Sequence, residues 1–269
     1  MGHILSVTSQ KGGVGKTTTA LQVGSIASAR GFHTLIVDAD PQGGAIYALN
    51  PALAEDRDTV GLFQVFCGEV EMADAVTRTP KSGLFVIGCG LPNSGFHQQV
   101  FEDATRATGL FRESLQSASQ LFDLILIDCP PGLGLVSTAA LGASDSAIIP
   151  IQCEPLSLRT LPPLVQQMIE IKQSINHRLD IAGILLTMFD SGNPASQSVH
   201  RQIRNCFFED LVFQTTIPRD PALNSLYMSS PGGSGETSPG WEAYEKLFTE
   251  LESTIRTVEK TTLTTQGSP

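Results

Sequence analysis

The chain has 269 residues, of which 41% are hydrophobic and 16% charged, a composition typical of a globular protein rather than a disordered one. Its 17 basic and 27 acidic residues give a formal net charge of −10, which argues against a dedicated nucleic-acid coat protein. No apolar run reaches the roughly 18 to 20 residues that cross a membrane, and the N-terminus lacks the pattern of a signal peptide. Since the five cysteines form no CxxC pair, we expect a cytoplasmic protein with reduced cysteines.

Short apolar runs alternate with longer segments of helical periodicity along the chain. The runs predict strands at residues 4–8, 34–38, 84–89, 122–128, 146–152, 181–189 and 212–217. The segments between them predict helices at residues 16–30, 101–119, 161–175, 195–208 and 241–260. This alternation is typical of βαβ units, and strands that are apolar on consecutive residues are covered on both faces. The predicted fold class is therefore α/β, a single doubly wound, mostly parallel sheet with helices on both faces.

Two segments interrupt this pattern without creating a second domain. Residues 229–240 are rich in Gly, Ser and Pro, which predicts a flexible surface loop. The end of the chain has no apolar periodicity. We therefore expect one domain over residues 1–260 and a flexible tail over residues 261–269.

A glycine-rich segment between the first predicted strand and the first predicted helix, SQKGGVGKTT at residues 9–18, predicts a phosphate-binding loop. Glycines let the backbone point several N–H groups at one anion, and the helix N-terminus adds its positive dipole. In such a loop Lys16 reaches the β- and γ-phosphates and the Thr17 hydroxyl binds Mg²⁺. The residues predicted to bind the nucleotide are Gly12, Gly13, Val14, Gly15, Lys16, Thr17 and Thr18.

The loop departs from the general pattern G-x-x-x-x-G-K-[ST], because Gln10 stands where the first glycine is expected and Lys11 follows it. In this respect the chain resembles the ParA/MinD family of partition and positioning ATPases, whose loop reads K-G-G-x-G-K-T-[ST]. The resemblance implies ATP and Mg²⁺ as ligands, and a homodimer in which Lys11 reaches the nucleotide of the other subunit. A cation delivered in this way would stabilise the charge that develops on the transferred phosphate.

Carboxylates follow two of the predicted strands. The second strand runs into DADPQGG at residues 38–44, where Asp38 and Asp40 share one face at the carboxyl end of the sheet. The central strand ends at Asp128, in the position of a carboxylate that supports Mg²⁺ in phosphate-loop ATPases. By the resemblance, Asp40 orients or activates the attacking water and Asp38 supports Mg²⁺ and the switch segment. The predicted catalytic residues are Lys11, Lys16 and Asp40, and the predicted metal residues are Thr17, Asp38 and Asp128.

The resemblance covers nearly the whole chain, from Ile4 to about Ile255. The segment IIPIQCE at residues 148–154 is similar to the family's strand before its dimer-facing helix. The segments at residues 185–190 and 216–219 are similar to the two late strands whose loops frame the adenine. Pro218 is therefore a candidate contact of the base.

The basic residues with which the family binds DNA are missing from the corresponding stretches, which read SGNP at residues 191–194 and DPALNS at residues 220–225. Arg201 and Arg204, spaced i, i+3 on a predicted helix, are the remaining candidate DNA contacts. They are equally well explained as solvated helix charges. Non-specific DNA binding is therefore implied by the resemblance and weakened by the sequence. Since residues 254–260 carry too little apolar surface for an amphipathic anchor, we expect no membrane binding.

The function that these features predict is that of an ATPase switch with weak intrinsic activity. ATP would close a homodimer that holds a track or scaffold, and a ParB-like or cargo-adaptor protein would stimulate hydrolysis and release it. The cargo would be DNA or a protein assembly, and the protein would be cytoplasmic, with association with the nucleoid as an open possibility.

Two alternatives remain at this point. A nitrogenase-reductase-like protein would bridge an iron–sulfur cluster with cysteines from both subunits, for which Cys89 and Cys129 are the sensible pair. An ATP-binding scaffold module that does not bind DNA, or that has lost hydrolysis, is the other; the presence of both Lys11 and Asp40 argues against lost hydrolysis.

Overall fold

The described part of a computed structural model of the chain comprises residues 1–51, 60–66, 69–90, 104–132, 134–223 and 238–264. Its strands are β1 (His3–Val7), β2 (Thr34–Asp38), β3 (Thr77–Arg78), β4 (Leu84–Ile87), β5 (Leu124–Asp128), β6 (Ser146–Gln152), β7 (Asp180–Phe189) and β8 (Val212–Pro218). They form one eight-stranded sheet in the order β3-β4-β2-β5-β1-β6-β7-β8. Every neighbouring pair is parallel except β3 and β4. The predicted fold class is confirmed.

Helices connect the strands. They are α1 (Lys16–Ala29), α2 (Gly44–Leu49), α3 (Leu62–Phe66), α4 (Met72–Ala75), α5 (Ala104–Ala118), α6 (Leu135–Ala143), α7 (Ser157–Ser174), α8 (Pro194–Cys206) and α9 (Pro239–Thr264). The predicted helices correspond to α1, α5, α7, α8 and α9. The sequence analysis missed the others because they have between 4 and 9 residues, too few to show a helical period.

The core lies on both faces of the sheet, as the central strand shows. In β5, Leu124 and Leu126 pack with residues of α1 and α9, whereas Ile125 and Ile127 pack with residues of α5. A third cluster joins β6, β7 and β8 to α7 and α8. Because successive side chains of a strand point to opposite faces, a strand covered on both faces reads as an unbroken apolar run.

Some boundaries differ from the predicted ones, and each difference has a local cause. The edge strand β3 has two residues, too few for a strand pattern to show. Helix α7 begins at Ser157 and carries Pro162 and Pro163, residues that normally argue against a helix interior.

The C-terminal helix begins within the predicted loop and extends into the predicted tail. Helix α9 begins at Pro239, where the Ser238 hydroxyl accepts the N–H of Trp241 at 3.2 Å, so the loop predicted over residues 229–240 ends earlier. It continues to Thr264, because no Gly or Pro stands between Trp241 and Gln266. The first four residues of the tail predicted over 261–269 are therefore helical. Residues 229–237 and 265–269 lie outside the described ranges.

Candidate functional site

The carboxyl ends of three adjacent strands bring the predicted phosphate loop and two predicted carboxylates to one edge of the sheet. Strand register pairs Val7 of β1 with Asp128 of β5, and Asp128 with Asp38 of β2. The loop that leaves β1 therefore begins beside both carboxylates. Ligands of open α/β sheets bind at this edge, outside the carboxyl ends of the strands.

The loop that follows β1 has the backbone geometry of an anion site. Gly13 and Gly15 adopt left-handed conformations, with φ of 73° and 93°, which glycine tolerates without strain. Gly15 is the N-cap of α1, no side chain caps that helix, and its first turn contains no acidic residue. The positive end of the helix dipole therefore faces the loop, and no acidic residue of the helix's own first turn offsets it.

Lys16 lies inside this loop rather than on its surface. It is 6% exposed, and its ammonium donates to the carbonyl oxygen of Lys11 at 3.4 Å. Burial lowers the pKa of Lys16, while the carboxylates of Asp128 and Asp40 partly offset that effect. A buried ammonium at a helix N-terminus is suited to the oxygens of a phosphate chain.

Asp128 is a fully buried carboxyl group beside the start of α1. It is 0% exposed, and neither oxygen accepts a well-formed hydrogen bond from a described residue. Burial, together with the nearby Asp38 carboxylate, raises the pKa of Asp128 to about 8, against the opposing effects of the Thr17 hydroxyl and the Lys16 ammonium. Orphaned carboxylate oxygens next to a threonine hydroxyl fit the oxygen ligands that Mg²⁺ prefers. Asp128 and Thr17, both predicted as metal residues, therefore lie together.

Asp38 is placed differently, because backbone N–H groups occupy its oxygens. One oxygen accepts from Ala45 at 2.8 Å and from Ile46 at 2.9 Å, and the other accepts from Asp40 at 3.3 Å. Burial raises the pKa of Asp38 to about 6, and these hydrogen bonds oppose the shift. Asp38 therefore fixes the segment from Asp40 to the start of α2, rather than presenting free oxygens to a metal.

Asp40 is the more accessible of the two carboxylates. It is half-buried, and one of its oxygens accepts the N–H of Gln42 at 2.9 Å, which closes a short turn. Its interaction with Lys16 shows that its charge lies near the phosphate loop. The predicted catalytic carboxylate is therefore partly exposed to solvent and lies near the Lys16 ammonium.

Substituting these two buried aspartates by asparagine should have opposite effects on the nucleotide-free protein. We expect Asp128→Asn to raise the free energy of unfolding by about 1 to 3 kcal/mol, because the raised pKa of Asp128 means that folding at pH 7.5 forces the buried acid to take up a proton, which an asparagine does not require. Asp38→Asn should lower it by about as much, because charge-assisted acceptors of backbone N–H groups are lost. Urea unfolding at pH 7.5 without nucleotide or Mg²⁺ measures both, and equal shifts of one sign would contradict the assignment.

A cavity of about 200 Å³ adjoins the phosphate loop on the side of β7 and β8. Its walls include Gly15 and Thr18 of the loop and helix, and Pro218 at the end of β8. The predicted base contact therefore lines a space that is continuous with the phosphate site. Met188 also lines it, and is the non-glycine residue with a positive φ (51°) in the described ranges.

Thr187 is a site residue whose role the sequence analysis missed. Its buried hydroxyl donates to the carbonyl oxygen of Val14 at 2.9 Å, so β7 holds the phosphate loop from beside the cavity. Tyr244 of α9 lines the same cavity, and its hydroxyl lies 3.0 Å from that of Thr19. Thr187 stands in the stretch at residues 185–190 that resembles a family strand, but a hydrogen bond between distant residues leaves no periodic signal in the sequence.

Lys11 does not share the orientation of Lys16. Its ammonium forms an ion pair with Glu154, in the turn between β6 and α7, and the two side chains are 30% and 33% exposed. Lys11 therefore lies at the rim of the loop, whereas Lys16 lies inside it. Glu154 lies in the segment at residues 148–154 that is similar to a strand of the family, but the sequence predicts no contact for it.

The two candidate DNA contacts on α8 have different environments. Arg204 donates to the carbonyl oxygens of Phe213 at 2.9 Å and Gln214 at 3.0 Å, and its Nε donates to His200. Its donors are therefore used to hold α8 against β8. Arg201 is exposed, so of this pair only Arg201 presents its charge to solvent.

The cysteines predicted for a bridging iron–sulfur cluster are buried. Cys129 is 0% exposed and its thiol donates to the carbonyl oxygen of Ile127, while Cys89 is 8% exposed. Burial raises the pKa of both thiols to about 12, which disfavours the thiolates that bind iron.

In the described ranges, none of the helices combines the length and the apolar character that a membrane crossing requires.

The loop geometry and the orphaned Asp128 carboxylate place the chain in the class of phosphate-loop nucleotide-binding proteins. A family model described as an AAA domain matches residues 2–181. The chain is 37% identical to the chromosome partitioning protein ParA of Caulobacter vibrioides over 265 residues, which covers 94% of this chain and 95% of that one. It is 36% identical to the sporulation initiation inhibitor protein Soj of Bacillus subtilis, with 83% of this chain and 87% of that one covered.

A solved structure shares the fold of this chain. A structure described as cobyrinic acid a,c-diamide synthase from Mycobacterium smegmatis, with ADP and magnesium bound, superposes with a TM-score of 0.79 at 28% identity, over 96% of both chains. The chain therefore belongs to the ParA/Soj family of partition and positioning ATPases, and the predicted family is confirmed.

Proposed function

We propose that this chain is an ATP-driven switch in which ATP and Mg²⁺ close two copies into a sandwich dimer. The observation that carries the proposal is the different placement of two lysines at one phosphate loop. Lys16 is buried inside the loop, where it serves the nucleotide of its own chain, whereas Lys11 lies at the exposed rim, where it can serve the nucleotide of a second copy. Hydrolysis would then depend on dimer formation.

In the reaction, a water attacks the γ-phosphorus of ATP while the bond to the β–γ bridging oxygen breaks, which yields ADP and phosphate. Asp40 orients this water and accepts its proton, and Lys16 and Lys11 stabilise the charge that develops on the phosphate oxygens. Mg²⁺, held by Thr17 and Asp128, supplies positive charge beside the phosphates when bound. Asp38 holds the segment that carries Asp40 in place.

The test of this switch is the mass of the protein in solution with each nucleotide. We expect a dimer with Mg²⁺ and a non-hydrolysable ATP analogue, a monomer with ADP, and slow hydrolysis whose rate per chain rises with protein concentration. Analytical ultracentrifugation and phosphate release measure these quantities. A monomer in saturating analogue, at concentrations up to about 100 μM, would rule the switch out, because a dissociation constant above that value corresponds to an association free energy of less than about 5.5 kcal/mol.

We further propose that the dimer binds duplex DNA only weakly, and that a ParB-like or cargo-adaptor protein stimulates hydrolysis in the cytoplasm. Two Arg201 side chains per dimer would neutralise about two phosphates, which predicts a slope of about −2 in a plot of log affinity against log salt concentration. Random duplex DNA titrated against Asp40→Ala protein with ATP measures this slope, with Arg201→Ala as the comparison. A slope steeper than about −4 would indicate a basic surface elsewhere on the dimer.

A further inference from the structure

The ion pair between Lys11 and Glu154 joins two segments that approach each other at the rim of the phosphate loop. Lys11 lies in the loop after β1, and Glu154 lies in the turn before α7. That turn is fixed by its own backbone, because the N–H of Glu154 donates to Gln152 at 2.7 Å and the N–H of Ser157 donates to the carbonyl oxygen of Glu154 at 3.0 Å. The backbone that carries Glu154 is therefore held in place, and its carboxylate pairs with the ammonium of Lys11 in the loop.

The backbone of Lys11 is also held from within the chain. Its carbonyl oxygen accepts from the Ser9 hydroxyl at 2.8 Å and from the Lys16 ammonium at 3.4 Å. The ammonium of Lys11 is thus the movable part of this residue, on a flexible four-carbon stem. In the single chain, that ammonium is paired with Glu154 rather than left in solvent.

We propose that Glu154 is the positioning residue of Lys11, which it holds against its own chain until a second ATP-loaded copy arrives. This inference rests on the proposed function, in which Lys11 serves the nucleotide of the partner. Closing the dimer then exchanges one carboxylate for the more highly charged triphosphate at each of the two sites. Glu154 competes with the partner's nucleotide for the same ammonium, and it therefore sets the protein concentration at which ATP-loaded chains associate.

The size of this effect follows from the exposure of the pair. Ion pairs between partly exposed side chains shift an equilibrium by about 1.4- to 5-fold each. Since a dimer releases two such pairs, their loss should tighten the dimer by about 2- to 30-fold. Binding of ATP to the monomer should change little, because Lys16, and not Lys11, serves the nucleotide of its own chain.

The test compares Glu154→Gln with wild-type protein and with Asp180→Asn. The first substitution removes the charge of Glu154 and leaves its backbone hydrogen bonds in place. The second is a matched control, because Asp180 forms an exposed ion pair with Lys172 at 3.5 Å at the start of β7, away from the site. Ultracentrifugation with Mg²⁺ and a non-hydrolysable ATP analogue gives the dimer dissociation constant, and titration of dilute protein with a fluorescent analogue gives the monomer affinity.

We expect Glu154→Gln to lower the dimer dissociation constant by about 2- to 30-fold while the affinity of the monomer for the ATP analogue stays unchanged. Asp180→Asn should leave both quantities unchanged. Glu154→Asp, which keeps the negative charge, should restore much of the wild-type dissociation constant. A Glu154→Gln dimer that is as weak as wild type, or weaker, would overturn the inference.

The dimerisation of Lys11→Ala protein distinguishes a failure of this inference from a failure of the proposed function. If Lys11→Ala does not dimerise and Glu154→Gln behaves as wild type, the inference fails and the function stands. If Lys11→Ala dimerises as wild type does, the role of Lys11 across the interface fails, and the inference fails with it.

Discussion

Lys16→Ala protein is expected to bind ATP about 30- to 150-fold more weakly than wild type, and its hydrolysis should be undetectable. The reason is the environment of Lys16, a residue that is 6% exposed and lies in a glycine loop at the start of α1. A charge-assisted hydrogen bond to phosphate in such a setting contributes about 2 to 3 kcal/mol. Calorimetric titration with a non-hydrolysable ATP analogue and Mg²⁺ measures the loss.

Two comparisons make this result specific. Lys246→Ala removes an exposed lysine from α9 and should leave the affinity unchanged. Lys16→Ala should also unfold in a cooperative transition, because the substitution leaves no bulky group to accommodate in the loop. If Lys16→Ala bound ATP within about threefold of the wild-type affinity, the phosphates would have to lie elsewhere.

The parts of the site that could be predicted from the sequence are those in which one short segment fixes the geometry. Gly13 and Gly15 are needed for their left-handed backbone, and they stand between a strand and a helix that periodicity also predicts. Asp128 ends a strand that is apolar on every residue, so its place at the sheet edge follows from the strand itself. Both features follow from the order of strand, loop and helix along the chain, which the sequence shows directly.

Other parts depend on contacts between distant segments, and these left no signal in the sequence. Asp38 and Asp40 look equivalent in the motif. In the structure, however, the Asp38 carboxyl group accepts hydrogen bonds from the N–H groups of Ala45 and Ile46, whereas Asp40 is half-exposed. Their difference arises because the chain turns back at Gly43 into α2, so that the buried carboxylate faces the start of that helix. The turn of the chain into α2, and not the spacing of the two carboxylates, therefore determines which of them accepts the N–H groups at the start of that helix.

The arginines of α8 show that the sequence also does not reveal which surface side chains are held by a neighbouring element. Arg201 and Arg204 have the spacing of a shared helix face, and the sequence leaves open whether they are DNA contacts or solvated helix charges. The edge strand β8 lies beside that face, and its carbonyl groups accept hydrogen bonds from Arg204. Helical spacing places both residues toward one side, but it does not reveal what that side packs against.

Asp40→Ala is expected to slow ATP hydrolysis by about 100- to 10,000-fold while ATP binding and the ATP-dependent dimer are retained. The turnover falls because the group that orients the attacking water and accepts its proton is gone. Binding persists because Asp40 contributes a negative charge near the phosphates, and its removal relieves repulsion. The fold persists because Asp40 is half-buried and the substitution removes one hydrogen bond, to Gln42. Phosphate release measured with saturating ATP and partner-free protein gives the rate.

Two variants separate catalysis from folding in this result. Asp74→Ala, at an exposed position in α4, should hydrolyse ATP at the wild-type rate. Asp38→Ala should lose stability as well as activity, because it leaves the N–H groups of the segment that carries Asp40 without their acceptor. Wild-type turnover in folded, ATP-bound Asp40→Ala protein would assign the attacking water to another residue. A loss of turnover accompanied by a loss of dimer would instead make Asp40 part of the interface. Only a slow, stable, ATP-bound dimer fits a carboxylate that acts on the water.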